Sequence, residues 1–266
     1  MGTDSPIELR ALMASIHTSP GATRFGEDAA RYDFARPEYP AELFVWLRAK
    51  CNLDARSDCF EIGAGTGHAT LPLLATPVRS LLAIDPDARL AERLREKRGD
   101  DARLETAMFD FGFAAMSLHW LARMKALTRV RVALKPGGYF AMWWNVYHNS
   151  AAPDPFGRAT EHLFAGVEQD PNATADRPAF ALDVAARMGE LRSAGFRDVE
   201  HRLFEQEVTF TAERLSALYG TFSRVRMAPE ETRALLLKEA ERVARETFGG
   251  TVTRTVTCSA FVGRRP

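Results

Sequence analysis

A chain of 266 residues, 46% hydrophobic and 26% charged, is long enough to bury one large α/β core and polar enough to be globular. Its 35 basic and 35 acidic residues cancel, so the concentrated positive charge that seeks nucleic acid or an anionic membrane is missing, and a small molecule is the expected partner. Three widely spaced cysteines (Cys51, Cys59, Cys258), no basic-then-apolar leader and no apolar run of roughly 20 residues argue against a disulfide framework, a metal site or a membrane span, and for a cytoplasmic protein.

In chain order, the sequence predicts a short helix over 7–16, between the breakers Ser5-Pro6 and Ser19-Pro20. Prolines and aromatic rings between Phe25 and Pro40 predict an ordered, packed loop. A helix follows over 41–50, with Leu43, Val45, Trp46 and Leu47 as its apolar stripe. Next, Cys59-Phe60-Glu61-Ile62 is a short apolar run carrying one acid, and it breaks into Gly63-Ala64-Gly65-Thr66-Gly67. Glycines at alternate positions let the backbone turn sharply and approach a ligand, and a following helix offers free N–H groups to anionic atoms. The pattern is strand, tight turn, helix: the opening of a nucleotide-type site.

A second buried strand is predicted over 80–84, ending at Asp85-Pro86-Asp87, then a charged-faced helix over 88–97. A short third strand is expected over 102–105 and a fourth over 109–117. The helix predicted over 121–134 is stopped by Lys135-Pro136-Gly137-Gly138, and a fifth strand is predicted over 139–144. Strands alternating with helices of this length mean a parallel sheet covered on both faces. Between 145 and 181 the pattern dissolves among prolines, apart from a helix over 156–164. Beyond it come a helix over 182–194 with Gly195 as its cap, a strand over 199–208, helices over 211–224 and 229–247, and a last strand over 251–262.

The glycine turn alone suits dinucleotide enzymes and methyl-donor enzymes equally, because both place a ligand across the first two strand ends. Here the spacing is G-x-G-x-G, Glu61 sits two residues before the first glycine, and Pro136-Gly137-Gly138 precedes the fifth strand. Together with Asp85, Arg36-Pro37-Glu38-Tyr39-Pro40 and Leu118-His119-Trp120-Leu121, these motifs resemble the class I S-adenosylmethionine-dependent methyltransferases, most closely the small-molecule branch of type 11 and trans-aconitate methyltransferase-like domains.

The resemblance implies a Rossmann-like, doubly wound, seven-stranded sheet, mostly parallel with an antiparallel last strand, plus mainly helical lid insertions. It implies one methyltransferase domain over 1–266: an N-terminal helical cap (1–50), a donor-binding core (51–145), a lid and acceptor region (146–230), and a last helix and strand (231–266). S-adenosylmethionine is the implied cofactor, S-adenosylhomocysteine its product, and methyl transfer to a small acceptor, at oxygen, the implied reaction. Gly63, Ala64, Gly65 and Gly67 are expected at the methionine end of the donor. Glu61 is expected to orient the turn or reach the donor's amino group, and Asp85, with Pro86 beside it, to accept from the ribose hydroxyls. Tyr32, Arg36 and Tyr39 are expected to close over the donor. Only Thr106-Ala107-Met108 separates the expected third strand from Phe109, less than the family usually has there, so no adenine contact is assigned. His119, just past the fourth strand, is the candidate general base. Trp144, Tyr147 and His148 are the candidate acceptor-binding residues. The competing expectations are an NAD(P)-dependent oxidoreductase and a non-catalytic donor-binding protein.

Overall fold

The computed structural model of the chain describes residues 29–85, 87–98, 108–147, 154–164, 167 and 180–266. Two helices, α1 (Ala29–Ala35) and α2 (Ala41–Lys50), lead into an alternating run: β1 (Asp58–Ile62), α3 (Thr70–Leu74), β2 (Ser80–Ile84), α4 (Ala88–Arg98), β3 (Phe109–Ala115), α5 (Arg123–Ala133) and β4 (Leu134–Val146). There follow α6 (Pro155–Thr160), α7 (Val184–Ser193), β5 (Arg197–Thr211), α8 (Ala212–Gly220), α9 (Ser223–Met227), α10 (Glu230–Phe248) and β6 (Thr251–Arg264).

Among the described residues the sheet has six strands in the order β2-β1-β3-β4-β6-β5. The first four run parallel, and β6 is antiparallel to both of its neighbours. The strand expected over 102–105, which would make a seventh, and the helix expected over 7–16 lie outside the described residues. All five residues of β1 are buried, as a strand covered on both faces requires. Gly112 of β3 lies opposite Phe60, and a Cβ there would stand 2.1 Å from the Phe60 ring. No helix among the described residues is long and apolar enough to cross a membrane.

Three expectations need correction. Residues 29–35 form a helix rather than a loop, and it ends just before Arg36-Pro37, because the residue before a proline avoids helical backbone. The helix expected over 211–224 breaks into α8 and α9 at Thr221-Phe222, where the Thr221 hydroxyl donates to the Leu218 carbonyl (2.6 Å). The fifth predicted strand begins at Leu134, five residues before the expected 139. Leu134 pairs with Phe109 and Tyr139 with Phe111, so Lys135–Gly138 form a bulge inside the strand.

Two cores flank the sheet. Leu127, Val130, Trp144, Leu191 and Phe196 fill one face under α5 and α7. Leu43, Leu47, Leu73, Phe113 and Trp143 fill the other under α2 and α3. A third core, with Ala35, Phe156, Leu215, Tyr219, Leu236 and Val256, unites α1, α6, α8, α9 and α10 with the far ends of β5 and β6. This is a helical cap. It draws on both ends of the chain, since α10 packs on α8 and α1 on the same helix.

Candidate donor site

The turn after β1 is held by the protein's own backbone. Gly63 and Ala64 donate to the Ile84 carbonyl at the end of β2 (2.7 and 3.2 Å), and Gly67 donates to Ala64 (3.0 Å). Gly65 donates to Asp85 Oδ2 (2.8 Å), whose other oxygen accepts from Asp87 N (2.9 Å). All three glycines have positive φ (+74°, +57° and +94°). Their reasons differ. A Cβ on Gly63 would lie 2.4 Å from Ser117 Cβ, which packing forbids, whereas one on Gly67 would meet only the movable end of Leu94 (Cδ1, 2.6 Å), so there the positive φ is the main bar. At Gly65 nothing stands within 4 Å, and its missing side chain faces open space.

That space is a cleft floored by the turn and Glu61 and walled by Tyr32, Tyr39, His68 and Ala115. Glu61 is only 1% exposed and accepts from the Thr70 hydroxyl (2.6 Å). Burial pushes its carboxyl up to about 8, against the Thr70 bond and with help from nearby Asp85. Asp85 is half-buried and shifted upward by burial, although two amide N–H groups oppose the shift. Each of its oxygens has used one lone pair on the backbone and keeps another.

The cap contributes Tyr32, Tyr39 and Arg36. Burial raises both tyrosine hydroxyls, so they remain protonated donors. Tyr39 packs edge-on against Trp143 at 5.9 Å. Arg36 is 9% exposed, and its guanidinium lies 4.9 Å from the Tyr147 ring, 5.3 Å from Tyr32 and 5.7 Å from Phe222. It donates to the Thr221 hydroxyl (2.9 Å) and carbonyl (3.3 Å) and forms no ion pair among the described residues. A buried cation facing only rings and neutral oxygens is complementary to an anion.

Other candidates are placed elsewhere. Trp143 and Trp144 alternate faces of β4, but that strand is covered on both sides, so the two indoles enter two cores and Trp144, at 3% exposed, does not line the cleft. Its indole N–H donates to His119 Nδ1 (3.0 Å), and the His119 ring leans on Trp120 at 4.6 Å. The lone pair a base would need on Nδ1 is therefore already engaged. Tyr147 stands beside Arg36, while its carbonyl accepts from Arg254 (2.7 Å). Pro86 and His148 lie outside the described residues.

The sequence reading passed over Asn145, Asp33 and His68. Asn145 is 5% exposed and its Oδ1 has no hydrogen-bond partner among the described residues; it shares a face of β4 with Trp143. His68 directly follows the last glycine, and Asp33 lies between two of the cap candidates. Position next to a recognised motif was the available signal.

Comparison with known proteins agrees with this geometry. The family described as "Methyltransferase domain" matches residues 60–142. An uncharacterized methyltransferase of Schizosaccharomyces pombe is 26% identical over 229 residues, covering 82% of this chain and 86% of the relative. A methyltransferase-like protein of the same organism is 27% identical over 231 residues, covering 83% and 86%. A solved structure described as a type II methyltransferase from Anaeromyxobacter dehalogenans shares the fold with a TM-score of 0.60 at 22% identity, over 86% of this chain and 97% of that one. The oxidoreductase expectation falls with these matches. A glycine turn that opens over a buried acid fits a ligand bearing an ammonium, and the domain match makes residues 60–142 similar to a methyltransferase domain, the activity for which the Schizosaccharomyces relatives are named.

Proposed function

We propose that the chain methylates a small-molecule acceptor at oxygen, beneath the helical cap. The observation that carries this reading is the cleft, whose floor is the glycine turn and whose wall is Tyr32 and Tyr39 of the cap segment. Whatever meets the methyl group must fit under that wall. When bound, S-adenosylmethionine supplies a methyl group on a sulfonium, activated enough that positioning and exclusion of water provide most of the acceleration. Gly65 admits the donor's methionine end, Glu61 faces its ammonium, Arg36 holds its carboxylate, and the spare lone pairs of Asp85 take the ribose hydroxyls. Asn145 Oδ1 offers a hydrogen-bond acceptor on the acceptor's side.

An oxygen nucleophile suits a cleft whose described residues offer no free strong base: His68, which lines it, is bonded to Asp33. A carboxylate is already ionised at pH 7, and a phenol needs little help. His119 is bonded to Trp144, and Glu61 is largely protonated at that pH. The test is incubation with S-adenosylmethionine and a panel of small carboxylic acids, phenols, amines and thiols, with mass spectrometry of the products. Methyl esters or ethers support the reading; transfer confined to amines or thiols, or to none, removes it.

Two variants probe the assignments. Asp85→Ala is expected to weaken S-adenosylhomocysteine binding by about 1.5–3 kcal/mol, the range for a lost charged hydrogen bond. Asp85→Asn, which can still accept from Gly65, should weaken it less; unchanged calorimetric affinity in both removes Asp85 from the site. His119→Ala is expected to keep turnover within roughly threefold and to lower the melting temperature, because the ring packs on Trp120 and Trp144. A loss of about 100-fold together with a flattened pH profile would instead make it the base.

A further inference from the structure

We propose that Asp33 is a positioning residue that clamps α1 onto the glycine turn and thereby holds Tyr32 over the cleft. The proposal rests on the reading that the donor lies against that turn. By its packing α1 belongs to the cap: Ala35 is part of the cap core, the Phe34 carbonyl accepts from Arg214 of α8 (3.1 Å), and the neighbouring Arg36 is tied to Thr221. Asp33 reaches the other way. One carboxylate oxygen lies 3.1 Å from His68 Nε2 on the turn, and the other lies 2.8 Å from Lys97 Nζ on α4. Arg93 Nε of α4 is 3.7 Å away, and Lys97 also donates to the Thr66 carbonyl inside the turn (3.0 Å).

One carboxylate therefore bridges the cap helix, the donor turn and the helix behind it. His68 lines the cleft and meets the Tyr32 ring edge-on at 6.0 Å, so the clamp sits directly beside the residue it positions. Glu38 Oε2 lies 3.9 Å from the second nitrogen of His68, beyond hydrogen-bond reach, so Asp33 is the closer of the two carboxylates on that ring. Burial alone would raise the Asp33 carboxyl, but the bonds from His68 and Lys97 outweigh it and hold the group well below the usual carboxylate range. It stays ionised at any working pH, so the clamp does not loosen with ordinary acidification.

If Asp33 positions Tyr32, its removal should shorten the residence of a ligand under the wall more than it slows entry. With the full chain and S-adenosylhomocysteine as probe, stopped-flow fluorescence of Asp33→Asn should show dissociation about tenfold faster and association within roughly threefold, the effect of one lost charge-assisted bond acting on escape. Lys97→Met removes the partner on α4 without touching α1, and should shift dissociation in the same direction by less. The double variant should be no worse than Asp33→Asn alone, because both changes open one clamp. Unchanged dissociation in a folded Asp33→Asn protein, or effects of the two changes that multiply, would overturn the proposal. Failure of the wild-type chain to bind the probe, or full binding by Gly65→Val, would instead overturn the donor-turn reading beneath it.

Discussion

Gly65→Val is expected to abolish measurable binding of S-adenosylhomocysteine while the protein stays folded. Gly65 has a φ of +57°, a left-handed conformation that costs a β-branched residue on the order of 1–3 kcal/mol, which a domain of this size can survive. The added Cβ meets no protein atom within 4 Å, so nothing in the fold must shift to receive it. The valine methyls would instead stand in the cleft, between the turn and the Tyr32 wall. Gly63→Ala is the contrasting control. Its Cβ would collide with Ser117, whose hydroxyl donates to the Ile62 carbonyl at the end of β1, so it should lose stability and binding together. Calorimetry with a parallel melting curve separates the cases. Retained affinity in Gly65→Val would mean that the open side of the turn is not where the ligand lies.

Where sequence reading succeeded, the signal was local. The strand over 58–62, the glycine turn, the strand over 80–84 and the acid after it are each contiguous, and alternation of apolar runs with helical periods was enough to place them. Gly195 and Gly249 also fall where helices end, with φ of +89° and +67°. Where it failed, the deciding partner was far along the chain. Nothing near Asp33 announces that His68 and Lys97 will surround it, and nothing near Trp144 announces that Phe180 and Phe261 will cover the face it presents. The helix over 29–35 was hidden by the prolines behind it, whose veto reaches only the residue before each proline. The turn's hydrogen bond to Asp85 is a middle case: both residues stood out in the sequence, but the protein-internal bond that joins them did not.

That bond changes how the donor turn works. Beyond its proposed part in ligand binding, Asp85 fixes the amide of Gly65, the glycine of the turn whose added Cβ would meet no protein atom. With the ribose held as proposed, its recognition and the turn geometry would be coupled through one carboxylate. A ligand that engages its spare lone pairs stiffens the turn that receives its other end, which favours binding a molecule carrying both groups over either fragment.

Binding of S-adenosylhomocysteine at pH 7 is expected to release close to one proton, and Glu61 is its source. Burial holds the Glu61 carboxyl at about 8, so roughly 0.9 of the molecules carry that proton in the free protein at pH 7. An ammonium placed beside it favours the carboxylate and drives the proton off. Below pH 8 the affinity should therefore rise with pH, approaching tenfold per unit, and level off above it. The stability of the free protein should move oppositely. A carboxyl whose folded value is raised stabilises the fold fully below its unfolded value near 4.5, and that contribution is lost as pH climbs through about 8. Glu61→Gln keeps the neutral shape and an acceptor for Thr70, so it should melt higher than wild type near pH 8 while binding the probe at least tenfold more weakly and with no linked proton. Titration calorimetry in buffers of different ionisation enthalpy counts the proton directly. A wild-type protein that releases none, or a Glu61→Gln variant that releases as many, would show that Glu61 serves only to brace Thr70, and that the donor's ammonium is met elsewhere.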